Sequence, residues 1–267
     1  MTTGSNDAVL YDVARGMATI TLNRPDTKNR LDAEGMALLR GSIERAGADD
    51  AVRVVVLTGS GTTFCSGADM SAAVAADADG FAGSGPAALV EVLTTMLDLP
   101  KPIVAKVQGH VAGGGNGLVA ACDLAIASSD ARFAFSEVRI GVAPAVISVV
   151  CLQVMNRRAA QELFLTGERV DADRALRSGL VTSVVHRDGL DAAVASYVAQ
   201  LLSGGPGALA GAKDLLRRIP ALPREQAFDE AARMSSALFA SAEGQEGMRA
   251  FLEKRSPNWA QGERPPV

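Results

Sequence analysis

The sequence predicts an α/β fold closed by a run of helices. Two patterns carry that reading. Short β-branched stretches alternate with helical patterns through the first two thirds of the chain, and strand signals stop near Asp188, after which helical patterns follow one another. The chain has 267 residues, 48% of them hydrophobic and 21% charged, an ordinary globular mix that can bury a substantial core.

Taken in order, Met17–Leu22, Val52–Thr58 and Pro102–Val107 read as strands, each rich in β-branched residues and bounded by Gly or Pro. Leu31–Ala46 reads as a helix with Asp32 as its N-cap, and Pro86–Leu97 as a second with Pro86 in its first turn. The Ala-, Gly- and Asp-rich stretch Asp77–Pro86 reads as a loop, either over a site or on the surface. Four more helices follow at Asp191–Leu202, Ala208–Arg218, Arg224–Phe239 and Gly244–Lys254, punctuated by Pro206, Pro220 and Pro223, and Gln261–Val267 reads as a loose tail. The expected division is a core over residues 1–200 and a helical region over 201–267.

Composition excludes several function classes. With 26 basic against 30 acidic residues the net charge is −4, and aromatics are only 4%, which argues against nucleic-acid and anionic-membrane partners. Three Cys without paired spacing point to a reducing compartment, and two His leave little for a metal site. No apolar run is long enough for a membrane span, and Met1–Ala8 has no signal core, so a cytoplasmic protein is the expectation.

Three stretches offer chemistry. Phe64-Cys-Ser-Gly-Ala-Asp-Met70 follows a strand and a Gly turn; small residues there leave backbone N–H groups open to a ligand, or simply make a tight turn. Cys65 has no His nearby in sequence and reads as a small buried thiol. Gln108–Gly117 carries three consecutive glycines leading into an apolar helix, without the Lys-Ser/Thr of a Walker loop; it offers either an oxyanion donor or close helix–strand packing. Arg132–Glu137 alternates as a strand, with Phe133, Phe135 and Glu137 on one face. A carboxylate continuing an apolar face is desolvated and suits general acid–base work; alternatively the strand ends early and Glu137 pairs with Arg132 or Arg139 in solvent. Gly141–Ser148 is apolar and turn-like and reads as either a pocket wall or ordinary core, His110 has no assignable partner, and His186 reads as a surface residue.

Together these stretches resemble the enoyl-CoA hydratase/isomerase family, the crotonase superfamily. The carrying residues are Leu22–Pro25 with Asn29, Phe64–Asp69, Gly109–Gly115 with Ala121–Asp123, Phe135–Gly141, and, further on, Leu165–Gly167, Ala172–Ala175, Gly179–Val181 and Ala250–Arg255, in order from Val9 to Trp259. The resemblance implies a spiral of ββα units with a helical C-terminal trimerisation region, assembled as a homotrimer or a dimer of trimers. It implies an acyl-CoA thioester substrate whose carbonyl sits between the N–H groups of Ala68 and Gly114, with Glu137 as the catalytic carboxylate and no cofactor beyond the CoA of the substrate. By the same match, Lys28 and Arg30 fall at the CoA phosphates, Ser66, Asp69 and Met70 at the adenine-side loop, and Phe251 and Lys254 where a neighbouring subunit's CoA is reached.

One departure matters. Double-carboxylate hydratases of the family carry a Glu two residues after the third Gly, where this chain has Gly117 preceded by Asn116. The flanking text resembles the methylglutaconyl-CoA-hydratase-like branch, which ranks an enoyl-CoA hydratase first. A Δ3,Δ2-enoyl-CoA isomerase using one base is the runner-up, and an acyl-CoA-binding protein with little catalysis the third reading. Water positioning in a hydratase would need a substitute for the missing Glu, for which Glu91, Asp77 and Asp79 are candidates.

Overall fold

A computed structural model of the chain describes residues 8–69 and 78–260. Two compact units emerge, Met1–Leu99 with Ile103–Val194, and Pro100–Pro102 with Ala195–Val267. The division falls at Val194 rather than at residue 200, inside a helix that runs unbroken from Leu190 to Ser203.

The first unit opens with β1 (Val9–Ala14) and β2 (Met17–Leu22), an antiparallel hairpin in which Ala14 faces Met17. Arg15 and Gly16 close it with φ of 51° and 79°, the left-handed pair that a two-residue hairpin turn requires. Helix α1 (Ala33–Ala48) follows, and Asp32 caps it as expected, its Oδ1 accepting the N–H of Gly35 at 2.8 Å.

From there consecutive strands alternate between two sheets. β3 (Val54–Gly59) joins the large sheet and β4 (Thr63–Cys65) a smaller one. After α2 (Ala78–Asp98), β5 (Ile103–Val107) returns to the large sheet and β6 (His110–Ala112) to the small one. After α3 (Gly114–Ala121), β7 (Leu124–Ser128) and β8 (Arg132–Ala134) repeat the step. Each strand–strand–helix unit therefore makes one turn of a spiral. Helices α4 (Ala145–Val154), α5 (Arg157–Thr166) and α6 (Ala172–Ser178) follow, with β9 (Arg169–Asp171) and β10 (Ser183–Val185) closing the small and large sheets.

The large sheet has the order β1-β2-β3-β5-β7-β10, parallel apart from the opening hairpin. Its central strand β3 is buried at all six positions, which is why Val-Val-Val-Leu reads as a continuous apolar run. The small sheet has the order β4-β6-β8-β9; its first three strands are parallel, and their C-terminal ends lie side by side. The core of this unit holds Phe64, Phe133, Leu39, Ile43, Leu57 and Leu118, all essentially inaccessible.

Three expectations change. The helix expected from Pro86 starts at Ala78 and includes Pro86. Its C-terminal half buries Val92, Leu93 and Met96, and that packing carries a Gly-rich upstream turn of poor intrinsic propensity. The strand read over Arg132–Glu137 ends at Ala134, and Ser136–Ile140 forms a 3₁₀ turn stopped by Gly141 at φ 81°. The turn-like Gly141–Ser148 is a turn only as far as Pro144, and then becomes α4.

The second unit contains the end of α7 (Leu190–Ser203), then α8 (Pro206–Arg218), α9 (Arg224–Ala240) and α10 (Ala242–Leu252), close to the four helices expected. Glu243 on α10 caps α8: its carboxylate accepts the N–H groups of Gly207 and Ala208, each at 2.9 Å, at the positive end of the helix dipole. Arg255 binds Glu246 through both guanidinium nitrogens at 2.6 and 2.9 Å.

Candidate functional site

Three loops at the C-terminal ends of β4, β6 and β8 converge, and they carry Ala68, Gly114 and Glu137 respectively. Parallel strands leave their ligand crevice at that edge, where the chain leaves the sheet and backbone groups lose their ladder partners.

The first loop is held by the segment Lys28–Leu31, which runs alongside it. Ser66 donates to the carbonyl of Lys28 at 3.0 Å, Leu31 to that of Gly67 at 2.8 Å, and Asp69 to that of Leu31 at 3.2 Å. This single parallel bridge between Leu31 and Ala68 uses the groups on either side of Ala68, so its own N–H points away from Leu31. Buried Asn29 anchors the flanking segment. Its Nδ2 donates to the carbonyls of Ser60 and Thr63 at 2.9 and 2.7 Å, and its Oδ1 accepts the N–H of Arg24 at 2.8 Å. These bonds hold Lys28 and Asn29 in the left-handed region at φ 57° and 53°.

The second loop approaches the first so closely that no side chain fits. A Cβ on Gly67 would lie 2.8 Å from the carbonyl oxygen of Ala112 and 3.3 Å from the nitrogen of Gly114. Gly113 precedes α3 at φ 50°, ψ −124°, and donates to the carbonyl of Ala134 at 3.2 Å. Gly114 begins the helix, so its N–H has no carbonyl four residues back and projects from the positive end of the dipole. A Cβ on Gly115 would meet Cys65, its carbonyl oxygen at 2.7 Å. The close-packing reading of this glycine run therefore holds, and the helix start leaves the Gly114 N–H without an intrahelical acceptor.

Glu137 comes from the 3₁₀ turn after β8. A Cβ on Gly113 would sit 3.5 Å from its Oε1, so the carboxylate abuts the second loop, and Oε2 is buried with no hydrogen-bond partner. Burial pushes the carboxyl pKa up, opposed by its own backbone N–H. The alternative of a solvent ion pair fails: Arg139 Nε donates to the carbonyl of Thr166 at 3.3 Å, and Arg132 donates to that of Ala131 at 2.9 Å. Desolvation of Glu137 stands, though a 3₁₀ turn produces it rather than a strand face.

The neighbouring side chains are apolar, and Ile147 among them belongs to the Gly141–Ser148 stretch that the sequence offers as either a pocket wall or ordinary core. A Cβ on Gly117 would meet Ile147 Cγ2 at 2.5 Å and Leu93 Cδ1 at 3.7 Å; one on Gly114 would meet Leu31 and Leu89 at 3.2 and 3.4 Å. Ile147 on α4 thus fills the space beside Gly117 with hydrocarbon. Cys151, one turn further along α4, is fully buried, and its thiol is pushed up by burial and then by the charge of Glu137.

Of the other expected residues, Lys28 is exposed beside the first loop, with Ser66 next to it. Arg30 and Asp69 engage each other as an ion pair, with Nε to Oδ2 at 3.2 Å, so this guanidinium is already matched to a carboxylate. Met70 and Asp77 lie outside the described residues, as does the side chain of Asp79. Glu91 is exposed and binds Arg40 at 2.6 Å on the surface. Phe251 and Lys254 belong to the helical unit, Phe251 being 83% exposed and Lys254 at φ 53° past the end of α10. Cys65 is a buried thiol, pushed up to about 12 by burial. Among the described residues no cluster of His, Cys, Asp and Glu could hold a metal ion, and no helix is long and apolar enough to cross a membrane.

This arrangement brings the Ala68 loop and the start of α3 together beside a half-buried carboxylate whose pKa is raised, a setting suited to proton transfer. Residues 12–262 match the family model described as enoyl-CoA hydratase/isomerase. The (E)-benzylidenesuccinyl-CoA hydratase of Thauera aromatica is 32% identical over 260 residues, covering 93% of this chain and 97% of that protein. The carnitinyl-CoA dehydratase of Citrobacter koseri is 34% identical over 253 residues, covering 90% and 93%. The crystal structure of an enoyl-CoA hydratase from Mycobacterium smegmatis superposes with a TM-score of 0.91 at 35% identity, covering 95% of this chain and 99% of that one. The spiral of strand pairs, the paired glycine loops and these likenesses agree: the chain belongs to the enoyl-CoA hydratase/isomerase family of the crotonase superfamily.

Proposed function

We propose that the protein shifts the double bond of a 3-enoyl-CoA to the 2-position, with Glu137 as the carboxylate base. The observation that supports this reading is the crowding at Gly117: the position carries no carboxylate, and a Cβ there would lie 2.5 Å from Ile147 Cγ2. Glu137 takes a proton from the α-carbon. The electron pair spreads onto the thioester oxygen, held by the N–H groups of Ala68 and Gly114, and over the neighbouring double bond. The same carboxyl then returns the proton to the γ-carbon, leaving the 2-enoyl thioester. Losing one such donor typically costs ~3–4 kcal/mol in the transition state. A carboxyl whose pKa is raised by burial holds and releases that proton more readily near neutral pH. The CoA enters with the substrate, and no other cofactor takes part.

The second reading is hydration of a 2-enoyl-CoA. Its support is the relatives named hydratase and dehydratase. The flanking sequence favours it too; we place it second because residue 117 offers no carboxylate to hold water at the β-carbon. In either reading Lys28, Arg30, Ser66, Asp69 and Met70 serve the CoA moiety, and Phe251 and Lys254 serve the CoA of a neighbouring subunit in a homotrimer or dimer of trimers. Membership of the methylglutaconyl-CoA-hydratase-like branch and a cytoplasmic location belong to the same proposal.

The test is to give the purified protein a 3-enoyl-CoA and crotonyl-CoA separately, and to identify products by mass and chromatography. Conversion of the 3-enoyl thioester without mass gain, abolished by Glu137→Gln, is the expected result. Gain of one water on crotonyl-CoA would establish the hydratase instead. Binding of both thioesters without turnover across an acyl-chain panel would leave an acyl-CoA clamp.

A further inference from the structure

We infer that Asn116 is a positioning residue that locks the oxyanion loop to the strand end bearing Glu137. Asn116 lies in the first turn of α3 and is wholly buried. Its Nδ2 donates to the carbonyl of Ala134 at 2.8 Å, the same carbonyl that accepts the N–H of Gly113 at 3.2 Å. Ala134 ends β8, and the chain passes from it through Phe135 and Ser136 to Glu137. The strap therefore joins, through one carbonyl oxygen, the loop that presents the Gly114 N–H and the segment that presents the base.

The loop needs such a lock. Gly113 has no side chain, sits at a positive φ, and lies against the carboxylate of Glu137. The Gly113 N–H bonds the Ala134 carbonyl, and the Gly113 carbonyl accepts the Asn116 N–H at 2.9 Å; the Asn116 side chain adds the second bond that ties this turn to the end of β8. Stability alone does not explain the amide. The Ala134 carbonyl already has a partner in Gly113, while Asn116 Oδ1 is buried with none, which is unfavourable. A leucine of similar volume would avoid that orphan. The amide orientation is set by Ala134, since the reversed amide would oppose two carbonyl oxygens. Among the titratable groups of the described residues, Cys151 packs against it, its Sγ 3.8 Å from the Asn116 carbonyl oxygen, and Glu137 lies three residues beyond its partner Ala134.

This inference rests on the reading of Glu137 as base and Gly114 as oxyanion donor, and its test separates the two. The assay is deuterium uptake from D₂O at the α-carbon of butyryl-CoA, which needs only base and donors, run beside an independent measurement of butyryl-CoA affinity. Asn116→Leu is expected to slow exchange about 10–100-fold with affinity within about twofold, the signature of displaced reacting groups rather than lost binding. Asn116→Asp adds a second readout. When protonated, the new carboxyl donates to Ala134 as the amide does; when ionised, it repels that carbonyl. Exchange by this variant is expected to fall with rising pH over a range where the wild-type rate rises or holds. Wild-type exchange rates in Asn116→Leu, or in Asn116→Asp across the whole pH range, overturn the inference even if one variant fails to fold. No exchange by the wild type overturns the reading of Glu137 instead.

Discussion

The contact between Gly117 and Ile147 can be tested by a double-mutant cycle. Gly117→Ala in mid-helix gains about 0.5–1 kcal/mol from the reduced freedom of the unfolded chain. Against this, the new Cβ would stand 2.5 Å from Ile147 Cγ2 and 3.1 Å from its Cβ, distances that force α3 and α4 apart. Overpacking of this kind costs about 1–3 kcal/mol, so the net expectation is a loss of about 1 kcal/mol. Ile147→Ala alone opens a cavity at a buried position and costs about 2–5 kcal/mol. In that background Cγ2 is gone, and Gly117→Ala becomes neutral or stabilising. The two sites thus couple by about 1–2 kcal/mol, with the double variant more stable than additivity allows. Urea midpoints at unchanged m-value measure all four corners of the cycle. Equal effects of Gly117→Ala in both backgrounds, or a gain of stability in the wild type, would refute the reasoning, and with it the claim that Ile147 crowds position 117.

Four further outcomes are expected. Glu137→Gln should lower α-proton exchange about 10²–10⁴-fold while leaving acyl-CoA affinity intact, checked by exchange rates and calorimetry. The wild-type rate should rise with pH through a midpoint above the ordinary glutamate range, because the base must be ionised and burial raises its pKa. The same shift weakens the fold: the native state holds this proton after the unfolded chain has released it, so stability falls as pH rises from the unfolded to the folded pKa. Glu137→Gln should remove that part of the fall, which urea titrations at a series of pH values would reveal. Finally, Cys65, Cys122 and Cys151 are all buried, with the Cys65 thiol pushed up to about 12, so an alkylating reagent at pH 8 should label them only after unfolding.

What could be read from the chain alone was local. The two glycine loops, the Asp32 cap, strands β2, β3 and β5, and the C-terminal helices all announce themselves through neighbours in sequence. The desolvation of Glu137 was legible too, but for a different reason from the one the pattern suggested. Phe133 and Phe135 alternate as a strand does, and nothing in Ser136–Ile140 signals a stop before Gly141, yet the chain turns at Phe135. The Glu137 carboxylate is then covered by Gly113 from another strand end. Ile147 beside Gly117, Asp69 on Arg30, and Ala134 beneath Asn116 are pairings across the fold, fixed by how the strand units stack. Helix α2 extends upstream of Pro86 because Val92, Leu93 and Met96 are packed, which propensity within the Gly-rich segment does not reveal.

The alternation of strands between two sheets has a consequence for how activity can arise during synthesis and refolding. Ala68, Gly114 and Glu137 sit on successive turns of the spiral, at the ends of β4, β6 and β8. Each newly docked turn contributes one component, and no shorter stretch of chain contains all three. On the proposed roles, a truncation after α3 would hold both donors without the base, and a cut between α3 and β8 would leave two fragments that must find each other before any proton moves. Catalytic competence in this architecture is therefore a late report on folding, gained with the third turn and not before it.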